Sequence, residues 1–321
     1  MHNPGNRRPV VLVTGAAGFI GSHVNEALLR AGCAVVGVDN FRTGRRENLR
    51  SALEAPDFTL READVAEPGV LAAIAAEVRP AAIVHLAALV SVQESVADPD
   101  LNFRLNVQAT HLVAEAARAS GVARIVFASS AAVYGEGAGE PLRESDLRTP
   151  PISPYGAAKL ASESLLLGHG ASYGITIRCH RFFNVYGPRQ DPRSPYSGVI
   201  SLFAREFSAG RPVTIYGDGE QTRDFVSVHD VARAVVLAAT RPGLASGAAN
   251  ICTGRPISVN RLAAIFGSLV PGASAPRREP ARPGDIRHSV GDPSRAAADL
   301  GFGAEWAVEK GLGELAGTRA A

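Results

Sequence analysis

Two patterns alternate through the first 180 residues. Apolar runs rich in Val and Ile stand at VVLVT (10–14), AVVGVD (34–39), AAIVHL (81–86), ARIVFASS (123–130) and GITIRCHRF (174–182), with helical periodicity between them. Runs apolar at successive positions present side chains on both faces of a strand, so each strand needs cover above and below. With helices between the strands, the pattern predicts a doubly wound α/β fold, a Rossmann-type parallel sheet. After about residue 182 the texture changes to Pro-, Gly- and Arg-containing loops (GPRQDPRSPYSG, YGDGEQTRD, EPARPGDIRHS) joined by short helices and strands. The expected division is a first domain over 1–182 and a smaller, mixed α/β domain over 183–321, with some segments free to interleave.

Composition narrows the class. The chain has 321 residues, 46% hydrophobic and 20% charged, enough to bury a sizeable core. Its net charge of +2 gives no support to a nucleic acid or an anionic membrane as partner. Cys33, Cys179 and Cys252 lie far apart with no CxxC and no His/Cys clustering, so they read as packing residues in a reducing compartment, and no metal site is expected. Arg7 and Arg8 before VVLVTGAAGFIGS mimic the start of a signal peptide, but glycines interrupt the apolar run, and no apolar stretch of membrane-spanning length follows. A cytoplasmic protein is expected.

GAAGFIG follows the first strand and opens a helix. Gly15 suits the tight turn, Gly18 lets the backbone approach a pyrophosphate, Gly21 permits close packing, and the helix start offers unpaired N–H groups to the anion. Asp39 ends the second strand, where a carboxylate accepts bonds from the adenosine ribose and repels a 2′-phosphate, which points to NAD rather than NADP. Arg42, Arg45 and Arg46 weigh against that exclusion, since an arginine there can pair with the phosphate. Asp64 has two readings, a contact to the adenine amino group or a helix N-cap.

In SPYGAAKLASESLLL (153–167), Ser153 is a good N-cap and Pro154 a good first helical residue, which puts Tyr155 and Lys159 on one face of a helix. Ser130 ends the ARIVFASS strand, where the carboxyl ends of a doubly wound sheet border the ligand crevice. A free tyrosine is ionised about one part in a thousand at pH 7, and bringing it to neutrality takes roughly 4 kcal/mol of differential stabilisation. Lys159 together with a positive nicotinamide ring is the expected source. Tyr155 would then take a proton from a substrate hydroxyl while Ser130 holds the same oxygen.

GAAGFIG, DNFRTG (39–44), HLAA (85–88), SSAAVYG (129–135), PYGAAK (154–159), RFFNVYGPRQ (181–190), GDGEQTRDFVSVHD (217–230) and RPGDIRHS (282–289) resemble, in order and spacing, the extended short-chain dehydrogenases/reductases that act on nucleotide sugars. Over nearly its whole length the chain is most similar to the UDP-hexose 4-epimerases. The resemblance implies an NAD-binding domain followed by a nucleotide-sugar-binding domain, with catalytic Ser130, Tyr155 and Lys159. It implies NAD contacts from Gly15, Gly18, Phe19, Ile20, Gly21, Asp39, Asn40, Thr43, Gly44, Asp64, Val65, Leu86, Ala87, Ala88, Asn106, Tyr155 and Lys159. Substrate contacts are implied for Ser130, Asn184, Gln190, Gly198, Val199, Thr214, Tyr216, Arg223, Arg282, Asp285 and Ser289, with Arg223 and Arg282 clamping the diphosphate.

Related dehydratases and decarboxylases carry a carboxylate just after the strand-end serine or threonine, where this chain has Ala131 and Ala132. That favours epimerisation by oxidation at C4, rotation of the 4-keto sugar and return of the hydride. The rivals are a dehydratase, decarboxylase or 4-ketoreductase on the same scaffold and, further off, a non-catalytic NAD-binding regulator. Ser289, small where a tyrosine restricts some relatives to UDP-glucose and UDP-galactose, implies room for an N-acetyl group; Val90 and Ala131 temper this, and Gly198 adds room or is a plain loop glycine. The resemblance also implies a homodimer through helices at about 100–118 and 154–168, where Leu101, Leu105, Leu112 and Val113 read either as surplus apolar residues for that contact or as ordinary core.

Overall fold

The computed structural model describes residues 8–136, 141–147, 149–191, 198–269, 274–281 and 286–317. In chain order the strands are Val10–Thr14 (β1), Ala34–Asp39 (β2), Phe58–Glu62 (β3), Ala82–His85 (β4), Arg124–Ser130 (β5), Thr176–Phe182 (β6), Asn184–Tyr186 (β7), Thr214–Tyr216 (β8), Thr222–Ser227 (β9), Gly247–Ile251 (β10), Pro256–Ser258 (β11), Arg277–Glu279 (β12) and His288–Ser289 (β13). Each apolar run of the first 182 residues becomes a strand within two residues of its expected bounds.

The chain divides into two compact units. One comprises 1–133, 151–181 and 232–249, the other 134–150, 182–231 and 250–321. The first is built on a seven-stranded sheet in the order β10-β6-β5-β4-β1-β2-β3. β1 pairs in parallel with both β2 and β4, Leu12 lying beside Val36 on one side and Ile83 on the other. The chain winds outward from β1 in both directions, so the carboxyl ends of β1 and β4 form the switch point where such sheets receive ligands. Leu12, Ile83, Ile125 and Phe127 of the sheet pack with Val113, Ala117 and Leu166 of the helices in one buried cluster. β10 was not anticipated: it comes from the loop-rich part of the chain, yet its burial is complete and it completes the first sheet.

The second unit is organised around β9. Its first half pairs with β11 antiparallel and β13 parallel, and its second half pairs with β7, while β8 and β12 form a separate ladder. Phe203, Phe207, Ile215, Phe225, Leu262 and Phe266 make its core.

All three cysteines are buried and free. Among the described residues no helix is long and apolar enough to cross a membrane. The surplus apolar residues expected to pair two copies are mostly core: Leu105 and Val113 are buried, and Leu101 packs against the same cluster. Exposed apolar surface in this region comes instead from Val92, Val96 and Phe103, the last 58% exposed.

Candidate active site

The turn between β1 and the helix Phe19–Arg30 is shaped by what its glycines exclude. Gly15 has φ +70°, and a Cβ there would sit 2.7 Å from the Ala87 nitrogen, so it satisfies both the turn and the close pass of the HLAA segment. A Cβ on Gly21 would fall 2.0 Å from the Gly15 carbonyl oxygen, so this glycine seats the helix on the turn itself rather than on a strand. Gly18 is different. Only the Gly15 oxygen, at 3.2 Å, lies near its missing Cβ, and Gly18 caps the helix without a side-chain bond. An open backbone face ahead of uncapped N–H groups at Phe19, Ile20 and Gly21 fits a pyrophosphate.

Asp39, at the end of β2, is buried and accepts N–H bonds from Ala17 and Phe41, one on each oxygen, which leaves lone pairs for a ribose. Burial pushes its carboxyl up and the two backbone bonds oppose that. Gly44 passes so close that a Cβ would meet Asp39 Oδ1 at 2.7 Å; Asn40 bonds the Arg42 N–H, and Thr43 is exposed. The three arginines that could have welcomed a 2′-phosphate are paired with carboxylates: Arg42 with Glu94, Arg45 with Glu47, Arg46 with Glu62. The cradle therefore fits a dinucleotide that lacks that phosphate.

Further along this edge, two expectations change. Asp64 is not a helix N-cap: it accepts the Ala66 N–H in a tight turn and lies 3.5 Å from Arg104. Val65 sends its side chain into the core. Leu86, Ala87 and Ala88 are partly buried, and Thr14 Oγ1 accepts the Leu86 and Ala87 N–H groups at 3.2 Å. Asn106 turns inward, its amide bonding both the N–H and the carbonyl of Leu89, while its own carbonyl accepts Ser162 Oγ. It braces the site from a π-helical stretch, Phe103–Gln108.

The helix Pro154–Tyr173 starts as its sequence dictates. Ser153 Oγ accepts the Gly156 N–H, Pro154 opens the first turn, and Gly174 ends the helix in the left-handed conformation. Its first turn is held by Ser95 Oγ, which accepts the Tyr155 N–H, and by Asn102, which donates to the Pro154 carbonyl. Gly156 is decisive, because a Cβ there would lie 2.5 Å from the Ala132 oxygen. Without a side chain, the helix closes on the turn Ala131–Tyr134, and the Ser130 hydroxyl acts on the Tyr155 phenol to favour its ionised form. Ser130 Oγ also accepts the Ala132 N–H.

Lys159 is buried, donates to the Ala128 carbonyl at 2.8 Å and lies 4.8 Å over the Phe127 ring. Burial lowers its pKa to about 7, against an opposing pull from Glu163. Within the protein, burial pushes the Tyr155 phenol up and the Ser130 hydroxyl acts downward. A lysine so largely desolvated is a weakened charge. His85, stacked on Phe127 and bonded to Thr14 and Thr110, is held neutral by burial and by Lys159, its pKa lowered to about 3.

In the second unit, several expected substrate positions gather on β9 and its neighbours. Ser289 stands directly beside Arg223 in the ladder, and Asn184 donates to the Asp224 carbonyl. Arg223 bonds the Thr222 and Ile286 carbonyls. Thr214 and Tyr216 belong to β8, joined to this region by Gln221, which donates to the Tyr216 carbonyl. Gln190 accepts the Ser201 hydroxyl. Gly198 starts the helix Val199–Ser208 in an ordinary extended conformation, with only Gln190 Nε2, at 4.0 Å, near its missing Cβ. Val199 packs toward the apolar core. Arg282 and Asp285 lie outside the described residues.

Sequence reasoning missed three residues. Gly156 sits inside the quoted motif, but its need for contact was invisible. Glu163 stands four residues beyond Lys159, so the spacing that joined Tyr155 to Lys159 extends to it. Buried Asp224 accepts bonds from the Thr253 N–H and hydroxyl, the Gly254 N–H and the Gly291 N–H, and so ties three distant segments together.

Residues 11–252 match the model of the NAD dependent epimerase/dehydratase family. A curated relative, the UDP-glucose 4-epimerase of Mycolicibacterium smegmatis, is 41% identical over 304 residues, covering 94% of this chain and 95% of its own. Among solved structures, the UDP-N-acetylglucosamine 4-epimerase of Methanobrevibacter ruminantium, in complex with UDP-N-acetylmuramic acid, superposes with a TM-score of 0.91 at 35% identity, over 97% of this chain and 98% of that one. The Thermus thermophilus UDP-glucose 4-epimerase in complex with NAD gives 0.86 at 37% identity, over 97% and 99%.

Proposed function

The chain belongs to the NAD dependent epimerase/dehydratase family, and from that premise we propose that it is a UDP-hexose 4-epimerase. The observation that carries the reading is that the start of the helix Pro154–Tyr173, with Tyr155, closes on the turn that follows Ser130, beside buried Lys159, with no carboxylate at Ala131 or Ala132. When bound, NAD supplies a reversible two-electron acceptor and a positive charge. Tyr155 takes the proton of the C4 hydroxyl, and Ser130 holds the same oxygen in line. Lys159 keeps a cationic group at the site. The 4-keto sugar turns about its diphosphate linkage, Tyr155 returns the proton, and the hydride comes back on the other face. Ala131 and Ala132 supply neither a base for the C5 proton nor an acid for the C6 hydroxyl, which argues against the dehydratase and decarboxylase readings.

The nucleotide is held by Arg223, Asn184, Thr214 and Tyr216, with Arg282 and Asp285 completing the set. The small Ser289 beside Arg223 supports a substrate range that takes in UDP-GlcNAc and UDP-GalNAc as well as UDP-Glc and UDP-Gal. The enzyme works in the cytoplasm as a homodimer, paired through the exposed Val92, Val96 and Phe103 rather than through Leu101 and Leu112. The test is incubation of the purified protein with each UDP-sugar, with products identified by mass spectrometry and chromatography and NADH followed by absorbance. Interconversion of C4 epimers without net NADH is expected. Loss of water, loss of carbon dioxide or net cofactor turnover would overturn the reading.

A further inference from the structure

We infer that Glu163, clamped by Arg181, is a positioning residue for this reaction: its buried carboxylate, one helical turn beyond Lys159, is the negative charge that holds the lysine ammonium at the end of β5. The inference rests on the epimerase reading for its purpose but not for its geometry.

Glu163 and Arg181 have side chains only 3% and 4% exposed. Arg181, on β6, donates from Nε to Glu163 Oε1 at 2.9 Å and from Nη2 to Oε2 at 2.7 Å, a forked pairing that fixes the carboxylate's plane. Ser129, next to Ser130 on β5, donates a third bond. One carboxylate thus ties the catalytic helix to the two strands beside it. Stability is a poor reason to keep such a pair, since well-packed apolar residues commonly serve as well in its place. A charge held at a fixed point needs a different reason.

Lys159 supplies one. The groups facing it are Tyr155 and Glu163 from its own helix, neutral His85 from β4, the Ala128 carbonyl and Phe127 ring from β5, and Arg181 from β6 through Glu163. Burial disfavours the ammonium, and Glu163 is the group that favours it. Arg181 limits that pull by sharing the same carboxylate.

Lys159 and Lys310 are the only lysines in the sequence, which makes a direct measurement practical. In protein labelled with 13C at the lysine ε-carbon, two resonances are expected, assigned with a Lys310→Arg variant. Their pH titration is read in the purified protein with its dinucleotide content measured. In Glu163→Gln the Lys159 midpoint should fall by about one pH unit or more, because the favouring charge is gone and Arg181 remains. Glu163→Asp, which keeps the pairing but withdraws the carboxylate, should lower it less and is the gentler variant if the first does not fold. Arg181→Gln should raise the midpoint, and the high-pH limb of kcat should move in the same direction in each variant. A merely structural role predicts the opposite for the Glu163 variants, since loosened packing admits water and lifts a buried lysine toward its ordinary value. A midpoint that rises or stays in a folded Glu163 variant overturns the inference. A midpoint that falls in a protein without epimerase activity supports it and overturns only the epimerase reading.

Discussion

The two units place their candidate groups by different means. In the first, strands of four to seven residues and a 20-residue helix bring Asp39, Ser130, Tyr155 and Lys159 to the carboxyl edge of one sheet. In the second, three of the expected positions sit on three-residue strands, Asn184 on β7 and Thr214 and Tyr216 on β8, and the buried Asp224 gathers the loops beside them. Regular structure can hold reacting groups to a fraction of an ångström, whereas short strands and loops hold a larger surface less rigidly. The first arrangement suits fixing a single atom in one place, and the second suits meeting a ligand over many contacts. It also means that substitutions in the first unit should change chemistry, and those in the second should change folding or selectivity.

The largest effect should come from Tyr155→Phe. Removing the hydroxyl deletes the proton acceptor while leaving the ring, so kcat should fall about 1,000-fold with the melting temperature and bound NAD little changed. Near-normal turnover would break the comparison at its first term. Asp224→Asn tests the other side. Its amide would set N–H donors against the Thr253, Gly254 and Gly291 N–H groups in a fully buried place, costing about 2–3 kcal/mol in urea unfolding. Protein that remains folded should keep its kcat, and a variant as stable as the parent would refute the hub.

Gly156→Ala sharpens the first case, since its Cβ would displace the helix start from the Ala132 carbonyl. A displacement of a few tenths of an ångström at Tyr155 should lower kcat by about 10- to 100-fold with little change in KM. The effect should be absent in Gly168→Ala on the same helix, where nothing lies within 4 Å of the missing Cβ. The smallest change is expected from Ser289→Tyr, which should lower kcat/KM for UDP-GlcNAc about 10-fold or more relative to UDP-Glc by overfilling the C2 side of the pocket. Equal losses on both sugars would show that the residue supports Arg223 rather than gating the sugar.

Much of the first unit was legible because its information is local. A run of Val and Ile specifies a strand buried on both faces, Ser153 and Pro154 specify a helix start, and the spacing of Tyr155 and Lys159 specifies a common face. Asp39 could be placed by its position at the end of a strand. Where the reading failed, the deciding partner lay far off in sequence. Asp64 kept two readings until the Ala66 turn and Arg104 removed the N-cap. Leu105 and Val113 looked like surplus until the β-sheet beneath them was in place.

By itself, then, the amino-acid order determined the strands of the first sheet, the glycine turn, the charge of Asp39 and the face shared by Tyr155 and Lys159, since each depends on backbone preferences and side-chain periodicity over a few residues. Only the tertiary structure decided that β10 would join the edge of the first sheet, that Gly156 would let the helix Pro154–Tyr173 touch the Ala132 carbonyl, that Arg42, Arg45 and Arg46 would pair with carboxylates, and that burial would push the pKa of Lys159 down and that of Tyr155 up. Contacts between distant segments and the desolvation of a charge are properties of the packed interior, and no window of the sequence contains them.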